Sequence, residues 1–326
     1  MFWERRLENW IDGIRRDSPL SLRLTLWNGR QFDFGAPEPE VTIRVPHVSA
    51  LGYLLKPTLA NLGQAYVEGV LEVEGRVNAL IGVANTLAAR TIKDGGRSAR
   101  GFNPFRHTHT RSKDAAAIQY HYDVSNEFYQ AWLDPNMVYS CAYFENGDED
   151  LATAQIRKID HILDKIQVQP GDKLLDIGCG WGALAIRAAQ KYGARCVGVT
   201  LSNNQYALAR QRVEQLGLSD RVEIRLQDYR DVSGTFNRIT SVGMFEHVGI
   251  ANLAAYFARI HALLAEGGMA MNHGITSTDP ENGETAYGGG DFIDRYVFPH
   301  GELAHVSTVL KAMQQGGLEV VDVENL

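Results

Sequence analysis

The chain has little of what marks several protein classes. Its 326 residues include only three cysteines, Cys141, Cys179 and Cys196. They show neither metal-ligand spacing nor an even disulfide framework, so a reducing cytoplasm is expected and a metal site is not. No apolar run reaches the roughly 18 residues of a membrane span, and Met1-Phe2-Trp3-Glu4 does not read as the start of a secretory signal. A membrane, if met, would be met from its surface. Excess positive charge is missing too: 32 Lys and Arg against 39 Asp and Glu give a formal net charge of −7, which argues against nucleic-acid binding by the whole molecule. There is no internal repeat and no low-complexity run.

What is present is organised around Leu174-Leu175-Asp176-Ile177-Gly178-Cys179-Gly180-Trp181-Gly182, followed by a helical run from Ala183 to Gln190. It reads as a buried parallel strand that ends in a glycine-rich turn and feeds a helix. Glycines allow close approach of the backbone to a ligand, and the helix start offers unpaired N–H groups to a carboxylate or a phosphate. The spacing is Gly-x-Gly-x-Gly, not the Gly-x-Gly-x-x-Gly of dinucleotide binders. By itself it leaves open a nucleotide site or a plain tight turn.

Ahead of this corner, Phe2, Trp3, Leu7, Trp10, Ile11 and Ile14 recur at helical spacing among Arg5, Arg6, Arg15 and Arg16. That pattern suits a helix docked on its own domain or one lying on a membrane. Leu22, Leu24 and Leu26 alternate with polar residues, Asn28-Gly29 predicts a hairpin turn and Gln31 to Phe34 a return strand. Val41, Ile43 and Val45 make a third strand, and residues 47–90 are mostly helical. Residues 1–90 thus predict a small α+β domain. Residues 91–114 form a linker; over residues 90–113, Arg90, Lys93, Arg97, Arg100, Arg106, Arg111 and Lys113 stand against the single acid Asp94. A solvated linker and a segment attracted to anionic lipid both fit. From residue 115 onward an aromatic helical stretch leads into alternating strands and helices, the pattern of βαβ crossovers and a doubly wound parallel sheet.

Ligands in such sheets bind beyond the carboxyl ends of the strands. The residues there are Asp176 to Gly182, Thr200-Leu201-Ser202, Gln227-Asp228-Tyr229, Phe245-Glu246-His247 and His273-Gly274-Ile275. The second strand ends in Thr200, with Gln205 a turn later, where an acid often holds ribose hydroxyls. Neutral groups must do that work here. Asp228 and Tyr229 would bracket an adenine. Glu246, Cys141 and His273 each have a bland reading, as a surface acid, a small apolar side chain and a satisfied histidine.

Together these residues closely resemble the cyclopropane-fatty-acyl-phospholipid synthase and mycolic acid methyltransferase family over residues 115–326. The resemblance rests on His121-Tyr122-Asp123-Val124-Ser125, Tyr139-Ser140-Cys141-Ala142-Tyr143-Phe144, the glycine corner, Gly198 to Gln205, Phe245-Glu246-His247-Val248-Gly249 and His273-Gly274-Ile275-Thr276. Residues 1–90 look more loosely like the N-terminal domain of bacterial members acting on phospholipids. The resemblance implies a Rossmann-like class I methyltransferase domain using S-adenosylmethionine. The implied cofactor-binding residues are Tyr139, Ser140, Asp176, Gly178, Gly180, Thr200, Leu201, Ser202, Gln205, Asp228 and Tyr229. It also implies a catalytic bicarbonate held by Cys141, Glu246, His273 and the N–H of Ile275, with a tyrosine nearer the carboxyl terminus.

The implied reaction adds a methyl to a cis double bond of a phospholipid acyl chain, and bicarbonate removes a proton for ring closure. Tyr120, Tyr143, Phe144 and Tyr296 are our candidates to stabilise the cation through their π faces. Unsaturated phospholipid is the expected partner, nucleic acid is not, and a homodimer is left open. The expected setting is cytoplasmic and peripheral to a membrane. Family members extend beyond the position of Leu326. Residues 320–326 read as the sixth strand, and the expectation is a methyltransferase domain lacking its last strand.

Overall fold

The computed structural model describes residues 2–17, 19–36, 38–54, 59–93, 125–278, 292–298 and 301–326. They fall into two compact units, one of residues 1–103 with 284–297 and one of residues 104–283 with 298–326.

In the first unit the amphipathic run forms α1 (Phe2–Asp17), and the alternating leucines form β1 (Leu22–Leu26). Around the Asn28-Gly29 turn β1 pairs antiparallel with β2 (Gln31–Asp33), and on its other side parallel with β3 (Val41–Val45). After α2 (Leu51–Leu54) and α3 (Leu59–Val67), β4 (Glu72–Gly75) closes a four-stranded sheet in the order β2-β1-β3-β4. Helix α4 (Val77–Lys93) follows. The inward leucines of β1 pack on Leu7, Ile11 and Ile14 of α1 in one core, and Trp10 meets Phe34 edge-on with centroids 5.6 Å apart. Each of those α1 side chains contributes about 1.5–3 kcal/mol by burial, more than the ~1 kcal/mol a basic residue gains near anionic lipid. The stripe is therefore docked on its own unit.

The second unit opens with the short α5 (Asn126–Gln130) and α6 (Leu151–Lys165), the latter capped by Asp150, whose carboxylate accepts from Thr153 N. Then come β5 (Lys173–Ile177), α7 (Ala183–Tyr192), β6 (Arg195–Thr200), α8 (Asn203–Gln215), β7 (Val222–Leu226), β8 (Phe236–Val242), α9 (Leu253–Leu263), β9 (Leu264–His273) and α10 (Val306–Gln315). The sheet order is β7-β6-β5-β8-β9 with every pairing parallel. Strand order reverses beside β5, so the glycine corner sits at the switch point where ligands enter. One core lies under α6, α7 and α8, another under α9 and α10.

Residues 320–326 do not form the sixth strand read from the sequence. A strand exists only where its backbone groups pair with a neighbour, and this stretch has none among the described residues; Val321 and Val323 are exposed. Side chains hold it instead: Lys165 pairs with Asp322 at 2.5 Å and with Glu324, and His161 Nε2 lies 2.8 Å from Glu324. Most of the expected linker, and residues 115–124 with Tyr120 and the run 121–124, lie outside the described residues.

Candidate active site

Beyond the carboxyl ends of β5, β6, β7 and β8 lies a cavity of about 570 Å³. Its floor is the β5–α7 corner. Gly178, Gly180 and Gly182 have φ of 78°, 54° and 83°, the left-handed region that side chains avoid. A Cβ at Gly178 would stand 3.0 Å from Met244 Cγ. Of the residues expected to hold a cofactor, Tyr139, Ser140, Asp176, Gly178, Gly180, Thr200, Leu201, Gln205, Asp228 and Tyr229 line this cavity. Ser202 does not; fully buried, it caps α8 by accepting from Gln205 N at 3.2 Å.

Local contacts fix the lining. Thr200 Oγ1 donates to Gln205 Oε1 at 2.7 Å, both buried, so a neutral pair ends β6. Asp228 accepts from Arg230 through backbone N and Nε at 2.9 Å and Nη2 at 2.6 Å. Tyr229 stands edge-on to Tyr256. Tyr139 is set in an aromatic cluster with Tyr129 and Trp132, and Tyr129 in turn packs 4.9 Å from Trp181. Asp176 is buried and accepts from Thr240 Oγ1 at 2.8 Å; burial outweighs that bond and pushes its carboxyl up to about 6.

The four residues expected around the base do not line this cavity, and the structure joins them only in part. Ile275 N donates to Glu246 Oε1 at 2.6 Å. Gly274 makes that approach possible, since a Cβ there would stand 2.2 Å from Phe245 Cε1 and 2.8 Å from Glu246 Oε1. Glu246 is buried, which raises its pKa, and its Oε2 has no hydrogen-bond partner among the described residues. His273, at the end of β9, also has a buried Nδ1 without a partner among the described residues, and burial lowers its pKa. The backbone on either side is tied in, with Glu302 N donating to Glu246 O at 2.9 Å. Cys141 is exposed.

The proposed π faces are a different matter. Tyr143 is stacked on His161 with centroids 5.0 Å apart, because a neighbouring ring offers more contact than water. Phe144 is exposed. Tyr296 belongs to the first unit, where its hydroxyl donates to Glu68. Sequence reasoning missed Lys158, Arg230, Tyr256 and Arg259, all of which line the cavity. Lys158 had a signal: it sits on the apolar stripe of α6, where a charge is out of place.

The sequence model of the mycolic acid cyclopropane synthetase family matches residues 109–326, and that of a domain of unknown function matches residues 12–95. A probable fatty acid methyltransferase of Pseudomonas putida is 50% identical over 309 residues, 94% of this chain and 77% of the relative. The cyclopropane-fatty-acyl-phospholipid synthase of Escherichia coli K12 is 37% identical over 283 residues, 83% of this chain and 69% of that one. Among solved structures, a mycolic acid cyclopropane synthase complexed with SAH and CTAB superposes with a TM-score of 0.61 at 38% identity, covering 64% of this chain and 76% of the other.

Proposed function

The chain belongs to the mycolic acid cyclopropane synthetase family, and on that premise we propose that it methylates the cis double bond of a phospholipid acyl chain and closes the product to a cyclopropane. It is a methyltransferase by family. S-adenosylmethionine, when bound, supplies a reactive methyl on a positively charged sulfur. The cavity fits that group: a glycine floor without Cβ atoms, the start of α7, the Thr200–Gln205 pair and the Tyr229 ring. Tyr139, Ser140, Gly178 and Gly180 would hold its amino-acid end, and Asp228 with Tyr229 its base.

The single observation that carries the chemistry is the pair of buried atoms Glu246 Oε2 and His273 Nδ1, each lacking a partner among the described residues. Buried polar atoms are rarely left so unless something binds them. Both lie in the turns and strand end beyond β8 and β9, and Met244 and His247 on either side of Glu246 line the cavity. They suit a small hydrogen-bonding group such as bicarbonate. Ile275 N–H, already engaged by Glu246, orients the carboxyl instead. Ring closure needs a proton removed from the new methyl, and Glu246 and His273 are the groups that would hold the acceptor there. A lipid substrate puts the protein, alone or as a homodimer, on a cytoplasmic membrane surface. The basic run from Arg90 to Lys113 supports that reading.

A second reading, a methyl-branched acyl product, is favoured by the 50% identity to a probable fatty acid methyltransferase. One experiment separates them: mass spectrometry of acyl chains after incubation with S-adenosylmethionine, bicarbonate and vesicles of cis-monounsaturated phospholipid. A gain of one CH₂, about 14 Da, with loss of the alkene is the expected product. The same gain with an alkene retained selects the branched product, and no change in mass rejects both.

A further inference from the structure

Lys158 interrupts the buried face of α6. It is 1% exposed, and its neighbours on that face are Ala154, Gln155, Ile159 and Ile162. An ammonium ion so deeply buried needs partners. Its Nζ donates to Ser140 Oγ at 2.5 Å. One turn earlier, Gln155 Nε2 donates to the backbone oxygens of Val138 at 3.2 Å and Ser140 at 2.8 Å. Helix α6 thus grips the stretch that carries Tyr139, Ser140 and Cys141. An ammonium has three donors, and Lys158 lines the cavity. The titratable groups that face it are Cys141 on the gripped stretch, Asp134 before it, Asp176 at the end of β5 and His273 at the end of β9.

We propose that Lys158 is a positioning residue of this site: its ammonium fixes the Ser140 hydroxyl and sets the field in which Asp176 and His273 act. Its role in methyl transfer rests on the function proposed above. The lysine touches the stretch beside the cofactor cavity, and its charge acts on the histidine proposed for the base site. Burial lowers its amine to about 8. Its charge holds His273 further below the usual histidine range, so that ring stays neutral and able to accept a hydrogen bond. The same charge opposes the upward push of burial on Asp176.

The test is an NMR titration of protein carrying ring-labelled histidine, from about pH 5 to about pH 10. The His273 signal is assigned by its loss in His273→Asn. In the wild type, His273 should show a second inflection near pH 8, where Lys158 loses its proton. Lys158→Met should abolish that inflection and move the titration of His273 itself upward. It should also lower kcat on unsaturated lipid roughly tenfold or more and weaken SAH binding, because the Ser140 hydroxyl loses its anchor. Lys158→Arg should keep the lowered titration. A merely structural lysine would shift Tm and leave His273 where it was. Identical His273 titrations in wild type and Lys158→Met overturn the proposal. If Lys158→Met does not fold, a wild-type His273 signal flat around pH 8 overturns it alone. Coupled titration in a protein that makes no lipid product supports the electrostatic role and overturns the substrate reading instead.

Discussion

Glu246 shows how burying a half-satisfied carboxyl works against stability. Its carboxyl is buried with one oxygen bonded to Ile275 N and the other unpartnered among the described residues, so its folded pKa lies above the unfolded value. For an acid raised in this way, the native state binds the proton more tightly. Its stability contribution is fullest below the usual glutamate range and falls as pH rises through the folded pKa. Glu246→Gln removes that slope: its Tm should equal or exceed the wild type at neutral pH, and the difference should shrink on acidification. Turnover should fall roughly a hundredfold, while calorimetry with SAH shows binding nearly intact. Equal loss of binding and turnover would remove Glu246 from the base site. The identity of Glu246 and His273 as candidates was legible, because both follow strands of a parallel sheet. The hydrogen bond from Ile275 to Glu246 was not, because it joins turns 29 residues apart.

At the scale of elements, helix contacts depend on where side chains are absent. Gly316, just past α10, lies against α9, and a Cβ there would stand 2.6 Å from Ala258 N and 2.7 Å from Phe257 C. Backbone cannot move aside as a side-chain tip can. Gly316→Ala should therefore cost about 1–3 kcal/mol by overpacking, read as a lower Tm in a thermal melt, with the cofactor corner unaffected. Strands β5 to β9 were readable from periodicity, since parallel strands are continuous apolar runs between helices. Residues 320–326 look like another such run, yet pairing and not pattern makes a strand, and Lys165 and His161 hold them in its place.

At the scale of the whole molecule, a segment far along the chain joins the first unit. Residues 292–297 fall within the stretch matched by the methyltransferase family model, yet they belong to the first unit. Phe292 covers Gly63, where a Cβ would stand 2.9 Å from the ring. Glu68 accepts from Gln64 at 2.8 Å, Tyr296 at 3.0 Å and Tyr53 at 3.3 Å, and these hydrogen bonds hold its carboxyl below the usual range. Glu68→Ala should release this segment. Limited trypsin digestion should then cut after Arg295 earlier than in the wild type, with SAH binding unchanged; equal cleavage rates would show that the clasp holds nothing.

By itself, the sequence determined the alternation of strands and helices, the glycine corner and the residues at the ends of the strands. All of these follow from local patterning and from the rule that parallel strands expose their carboxyl ends on one side. Only the tertiary structure decided that α1 docks on its own sheet, that residues 292–297 join the first unit, that Tyr143 is stacked on His161 and that a buried lysine faces the cavity. Those outcomes turn on which surfaces meet, and burial, pairing and charge between distant residues exist only once the chain has folded.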